Sequence, residues 1–214
     1  MVEPNHVHSA SCNCAEEEKQ KDPQGIDLYD YVELGGLECF NAKTAGSITK
    51  TLRKFDDKHK FLQDATLSTE SDYATELVVM IPFAGEIKLK SICVAGGVDG
   101  RAPSKMKVYK NEECCDFNII EDKKPVMTID LAENPLGEID YPVNLSKFNN
   151  CTNIVLGFEE NFGGNNTQIN FIGLKGALLR AKTKAQEFVY ESRAQLADHK
   201  TPNDVKAMHS NMGF

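Results

Sequence analysis

From about residue 75 onward, apolar positions fall in short runs that alternate with polar ones. Met106 and Val108 alternate with Lys105, Lys107 and Lys110, and Met127, Ile129 and Leu131 alternate with Thr128 and Asp130. Ile154, Leu156 and Phe158 repeat the pattern. Alternation of this kind marks strands with one face buried. Leu77-Val-Val-Met-Ile81 is continuous and stopped by Pro82, which predicts a strand buried on both faces or ending at an edge. Between Glu86 and Val94 the apolar set changes parity from Leu89 to Ile92, which predicts a bulge near Ser91. Ile169 and Phe171 follow a glycine loop, and alternation places both on one core face. Gly96-Gly97, Asp99-Gly100, Asn134-Pro135 and Gly163-Gly164 punctuate the series. Many short strands with such turns predict an all-β fold, a β-sandwich or jelly roll.

The ends differ. Residues 1–20 are polar, with Glu16-Glu-Glu-Lys-Gln-Lys21 at their close, and predict a flexible tail. Leu28, Tyr29, Val32, Leu34 and Leu37, interrupted by Gly35-Gly36, mark the entry into a folded region spanning 21–195. Residues 196–214 predict a loose C-terminal tail. The segment from Ala181 to Leu196 is rich in helix formers, yet Phe188 and Tyr190 alternate around Val189 as in a strand.

Composition narrows the function classes. A 214-residue chain with 41% hydrophobic and 26% charged residues suits one globular domain with tails. Its net charge of -8 opposes a phosphate backbone, so nucleic acid is not an expected partner. No apolar run reaches the ~18 residues of a membrane span, and Met1-Val-Glu-Pro-Asn-His6 lacks the marks of a signal peptide. Seven scattered cysteines then predict reduced thiols, hence a cytoplasmic or nuclear compartment. A monomer is expected.

The run from Asn161 through Gly163, Gly164 and Phe171 to Gly176 joins a polar glycine loop to an apolar strand and resembles the closing signature of the PITH domain family. Ile81-Pro-Phe-Ala-Gly-Glu-Ile-Lys-Leu-Lys-Ser-Ile92 resembles that family's opening strands. Ala102 to Asn111 with Asp116-Phe117, and Leu136 to Tyr141 with Ser146-Lys-Phe148, are similar to its central blocks. The family takes its name from the C-terminal domain of a proteasome-interacting thioredoxin-like protein. The resemblance implies a jelly-roll sandwich of galactose-binding-domain-like type, with a final strand over 186–191. It also implies proteasome subunits as partners, through the regulatory particle. Cys-x-x-Cys is absent from the chain, so the resemblance is to stand-alone members, without the thioredoxin activity of the fused ones.

Candidate chemistry is sparse. His6, His8, Cys12 and Cys14 are zinc-type donors that a tail could wrap round one ion, or incidental residues of a disordered segment; no other cofactor is implied. Glu159-Glu160 beside a strand end suits either a calcium site or solvated turn residues. Cys114-Cys115 lies among Glu112, Glu113 and Asp116, which disfavour a reactive thiolate. His59 between Lys58 and Lys60 predicts exposed surface, and neither Gly-x-Ser-x-Gly nor a phosphate loop occurs. These features predict a non-enzymatic interaction module, with a small-molecule or metal-binding sandwich as the alternative. An aromatic beside glycines in a loop is either exposed or folded back to cap the core. The exposed reading makes Asn161, Phe162 and Gly163 the candidate contact site.

Overall fold

The computed structural model describes residues 25–181. The tails, the His6/His8/Cys12/Cys14 set and the strand expected over 186–191 lie outside the described residues. Nine strands form: β1 (Ile26–Asp27), β2 (Glu38–Phe40), β3 (Thr69–Glu70), β4 (Leu77–Gly96), β5 (Lys105–Lys110), β6 (Met127–Asp130), β7 (Asp140–Pro142), β8 (Cys151–Phe158) and β9 (Gln168–Ala181). Two short helices, α1 (Ile48–Thr51) and α2 (Asn118–Asp122), and 3₁₀ turns connect them. All strand pairings are antiparallel. Among the described residues no helix is long and apolar enough to cross a membrane.

Strand β4 makes the architecture. Its first part, Leu77 to Pro82, pairs with β8 on one side and β2 on the other, and β8 continues through β5 to β6. Its second part, Gly85 to Gly96, pairs with β9 and, at Ser91 to Cys93, with β7. Short β1 and β3 lie on the far side of β9. Two layers thus share one strand, and the sheet folds over on itself. The corner is tight at Gly85, where an added Cβ would come 2.3 Å from the Arg180 carbonyl oxygen.

Pro82 does not stop the strand, contrary to expectation. It pairs with Asn153 at the point where the β8 register breaks, between Pro82 and Ile87, so its missing N–H falls at an irregularity. Its carbonyl accepts from Glu33 N–H at 2.9 Å. The bulge expected near Ser91 is present: Leu89 opposes Gly176 and Ser91 opposes Lys175, leaving Lys90 extra. Before it Leu77, Val79, Ile81, Ile87 and Leu89 face the core; after it Ile92 and Val94 do.

The core fills the space between the layers with Met106, Val108, Ile154, Leu156, Phe158, Ile169, Ile172 and Leu174, plugged by Phe83 and Phe148. Phe171 is buried, as predicted, but not with Ile169. A register shift between Ala95 and Gly96, opposite Asn170, turns β9 over. Phe171 therefore joins Cys93 and Ala95 on the outer face, under Phe55 and Phe61 of the 3₁₀ helix Phe55–Leu62. On the outer face of the other layer, Ile119 and Ile120 of α2 cover Val78, Met80, Tyr109 and Val155.

Candidate functional site

Two loops meet at the end of the sandwich where β4 stops and β9 begins. The first runs from Gly97 to Pro103 and turns through Asp99 (φ 57) and Gly100 (φ 75). The second is Asn161 to Thr167, with Gly163 at φ 104, a value glycine adopts without strain. Backbone hydrogen bonds zip them together: Phe162 N–H to Ala102 O at 3.2 Å, Gly164 N–H to Gly100 O at 3.0 Å, and Gln168 N–H to Arg101 O at 2.8 Å. The approach needs glycine on both sides. A Cβ at Gly100 would sit 3.0 Å from Phe162 O, and one at Gly164 3.0 Å from Arg101 N.

The three predicted contact residues divide. Asn161 works inward: its amide donates to Gly164 O at 2.9 Å and Asn166 O at 3.1 Å, while its oxygen accepts from Gly163 N–H at 3.0 Å. It buckles its own loop, a role the sequence motif did not disclose. Phe162 is 41% exposed on the second loop and Val98 55% exposed on the first, and Gly163 is also exposed. Phe162 is not folded back over the core. Both side chains are thus exposed apolar groups at the same cross-braced end of the sandwich, stiffened further by Arg101, whose guanidinium meets Glu70 at 3.4 Å.

Glu159 and Glu160 flank this tip but each holds a lysine, Lys107 at 2.6 Å and Lys105 at 2.9 Å. They are ion-paired rather than an open carboxylate cluster. Among the described residues no group of His, Cys, Asp or Glu is arranged to hold a metal ion. His59 is exposed.

Four of the described thiols are poorly placed for chemistry. Burial, reinforced by Asp140, pushes Cys93 up to about 12, and its Sγ donates to Gly137 O at 3.2 Å. Burial and then Cys115 raise Cys39 to about 12; burial and then Glu38 raise Cys115 to about 11. Burial likewise raises Cys151. Each of these thiols is held protonated at neutral pH, the opposite of a nucleophilic cysteine. Cys114 is exposed.

The chain is similar to several proteins. It is 37% identical over 174 residues, covering 81% of this chain and 84% of the relative, to "PITH domain-containing protein 1" of Dictyostelium discoideum. It is 32% identical over 215 residues, covering 96% of this chain and 98% of the relative, to the human protein of the same name. Among solved structures, the CBM32-1, CBM32-2 and M60 catalytic domains of Clostridium perfringens ZmpB superpose with a TM-score of 0.52 at 10% identity, over 78% of this chain and 16% of that one. That likeness speaks for the sandwich alone. None of these PITH relatives is named as an enzyme. The PITH domain profile matches residues 18–194, so the chain belongs to the PITH domain family.

Proposed function

We propose that the chain is a non-enzymatic docking module for the proteasome, engaging its regulatory particle through the Val98/Phe162 tip. The observation that carries this is the pairing of exposed apolar side chains with a base fixed by inter-loop hydrogen bonds. A rigid tip loses little conformational entropy on binding, and an exposed aromatic supplies the anchor. The choice of proteasome rests on the resemblance drawn from the sequence blocks. Raised thiol pKa values and the lack of Cys-x-x-Cys support docking without redox exchange. We assign the activity to a monomer in the cytosol and nucleus, without nucleic acid or membrane.

The test is a pull-down from cell extract using wild type and Phe162→Ala, with insulin reduction measured alongside. Wild type should retain proteasome subunits and Phe162→Ala should lose most of them. Wild type without proteasome rejects the partner, and catalytic insulin reduction rejects the non-enzymatic assignment.

A further inference from the structure

A second surface lies beyond the loop tip, at the edge of the first layer. Strand β2 ends in Phe40 and, among the described residues, pairs on one side only, with β4. Asn41, at φ 66, then turns the chain. Its amide donates to Tyr73 O and to Glu76 O, each at 2.6 Å, and its oxygen accepts from Tyr73 N–H at 3.2 Å. One side chain thereby staples the 72–76 loop beside the strand. Phe117, just ahead of α2, completes the wall. Its ring meets that of Phe40 with centroids 4.8 Å apart and planes at 83°, so the two form a corner.

Between these parts opens a cleft of about 400 Å³ lined by Phe40, Tyr73 and Phe117 and by the acidic residues Asp72 and Glu76. Phe40 is 43% and Tyr73 78% exposed, both high for large aromatics. No cationic side chain lines the cleft, and neither carboxylate joins a salt bridge among the described residues. Lysines elsewhere are drawn to carboxylates, as Lys105 and Lys107 are to Glu160 and Glu159. Here aromatic faces and unpaired negative charge are left together.

Ring faces carry negative quadrupole potential and attract cations, and the nearby carboxylates add a direct charge. A primary ammonium is strongly hydrated and gives up its water reluctantly on entering an aromatic corner. Alkylation removes that hydration while keeping the charge, and offers methyl groups to the rings. The one-sided β2 edge leaves room for an extended chain to pass the cleft mouth. We propose that this cleft binds the methylated ammonium of a lysine carried on a basic segment of a partner protein. This inference does not depend on the loop-tip reading or on the proteasome.

The experiment uses the full chain and a short fluorescent basic peptide carrying one trimethyllysine. The same peptide with plain lysine, and with the neutral carbon isostere of trimethyllysine, serves for comparison. The trimethyllysine peptide should bind at least about tenfold more tightly than the isostere, since only the charge differs. Tyr73→Ala, at an exposed position, should weaken binding by a similar factor with an unchanged thermal midpoint. The Asp72→Asn/Glu76→Gln pair should weaken it and flatten its salt dependence. Equal binding of the isostere overturns the cation assignment, and equal binding of plain lysine overturns the methyl requirement. Wild-type affinity in Tyr73→Ala, or no binding of any peptide at millimolar concentration, overturns the site. Loss of proteasome capture in Phe162→Ala with intact peptide binding separates the two surfaces.

Discussion

On the outer face of the first layer, α2 lays Ile119 and Ile120 against Val78, Met80 and Val155. On the outer face of the second, the segment from Arg53 to Leu67 lays Phe55 and Phe61 against Cys93, Ala95 and Phe171. Each face carries a glycine where the cap presses in. A Cβ at Gly157 would be 2.9 Å from Ile120 Cγ1, and one at Gly173 2.6 Å from Phe55 Cζ. The means of attachment differ. The α2 cap is fastened mainly by apolar contact. The other is tied down by the buried Arg53 guanidinium, which donates to Asn170 O at 2.7 Å, Leu67 O at 3.0 Å, Lys58 O at 3.4 Å and Lys50 O. Phe55 and Phe171 stack edge-to-face at 5.5 Å, and Lys175 sits 4.5 Å from the Phe55 ring. Burial works against the Arg53 charge while Asp57 supports it. A side-chain hydrogen-bond network can be worth more than the sum of its pairwise deletions, so substitutions around Arg53 should couple strongly.

The contrast can be broken by mutation. Phe171→Ala should cost the most, about 3–5 kcal/mol in urea unfolding, because it empties the platform beneath Phe55. An unfolding midpoint equal to wild type would place Phe171 outside the packed interior. Arg53→Met should follow at about 3 kcal/mol, since the carbonyls it serves lose a charged donor. Combined with Phe171→Ala it should show clear non-additivity; simple addition would mean the polar cap is not one unit.

Ile120→Ala should cost about 2 kcal/mol, at the low end for a buried Ile because the site lies under a short exposed helix. A loss larger than that of Arg53→Met would reverse the comparison. The smallest effect is a pH slope from Cys93, which lies under the polar cap. Its folded thiol titrates at about 12 against an ordinary 9.0. The protonated form is thus favoured by folding, and this stability is intact below pH 9.0 and lost as pH climbs towards about 12. By pH 10 the loss should be about 1 kcal/mol, and Cys93→Ala should lack it; identical slopes in the two proteins would remove Cys93 as its source.

Period-two alternation located β5, β6, β8 and the start of β9, and the Leu89-to-Ile92 parity change located the Lys90 bulge. Those signals are local, and local physics carries them. Pro82 was misleading because its tolerance depends on a register break supplied by β8, far along the chain. Phe171 was assigned to the wrong face because Asn170, a polar residue in an apolar run, gave no parity clue to the bulge. The caps left a readable trace in Gly157 and Gly173, glycines inside otherwise apolar strands, which signal close approach. At the tip, the glycines after Phe162 leave its exposure open between two readings that the structure decides, and the motif gives no sign that Asn161 buckles its own loop. The aromatic cleft was illegible, since Phe40, Tyr73 and Phe117 come from separate non-periodic segments that only the fold assembles.

Strand β4 has a consequence for how the protein is made. It is complete once Gly96 has left the ribosome, yet β8 is not finished until Phe158 and β9 not until Ala181. At ~5–20 residues per second, β4 waits roughly 4–17 s for its last partner. During that interval Leu77-Val-Val-Met-Ile81 on its β8 side and Ile92-Cys-Val-Ala95 on its β9 side present unpaired backbone on an apolar strand, the kind of edge that recruits other chains. The segment that joins both layers of the finished sandwich is therefore the one most in need of a chaperone while the nascent chain is still growing.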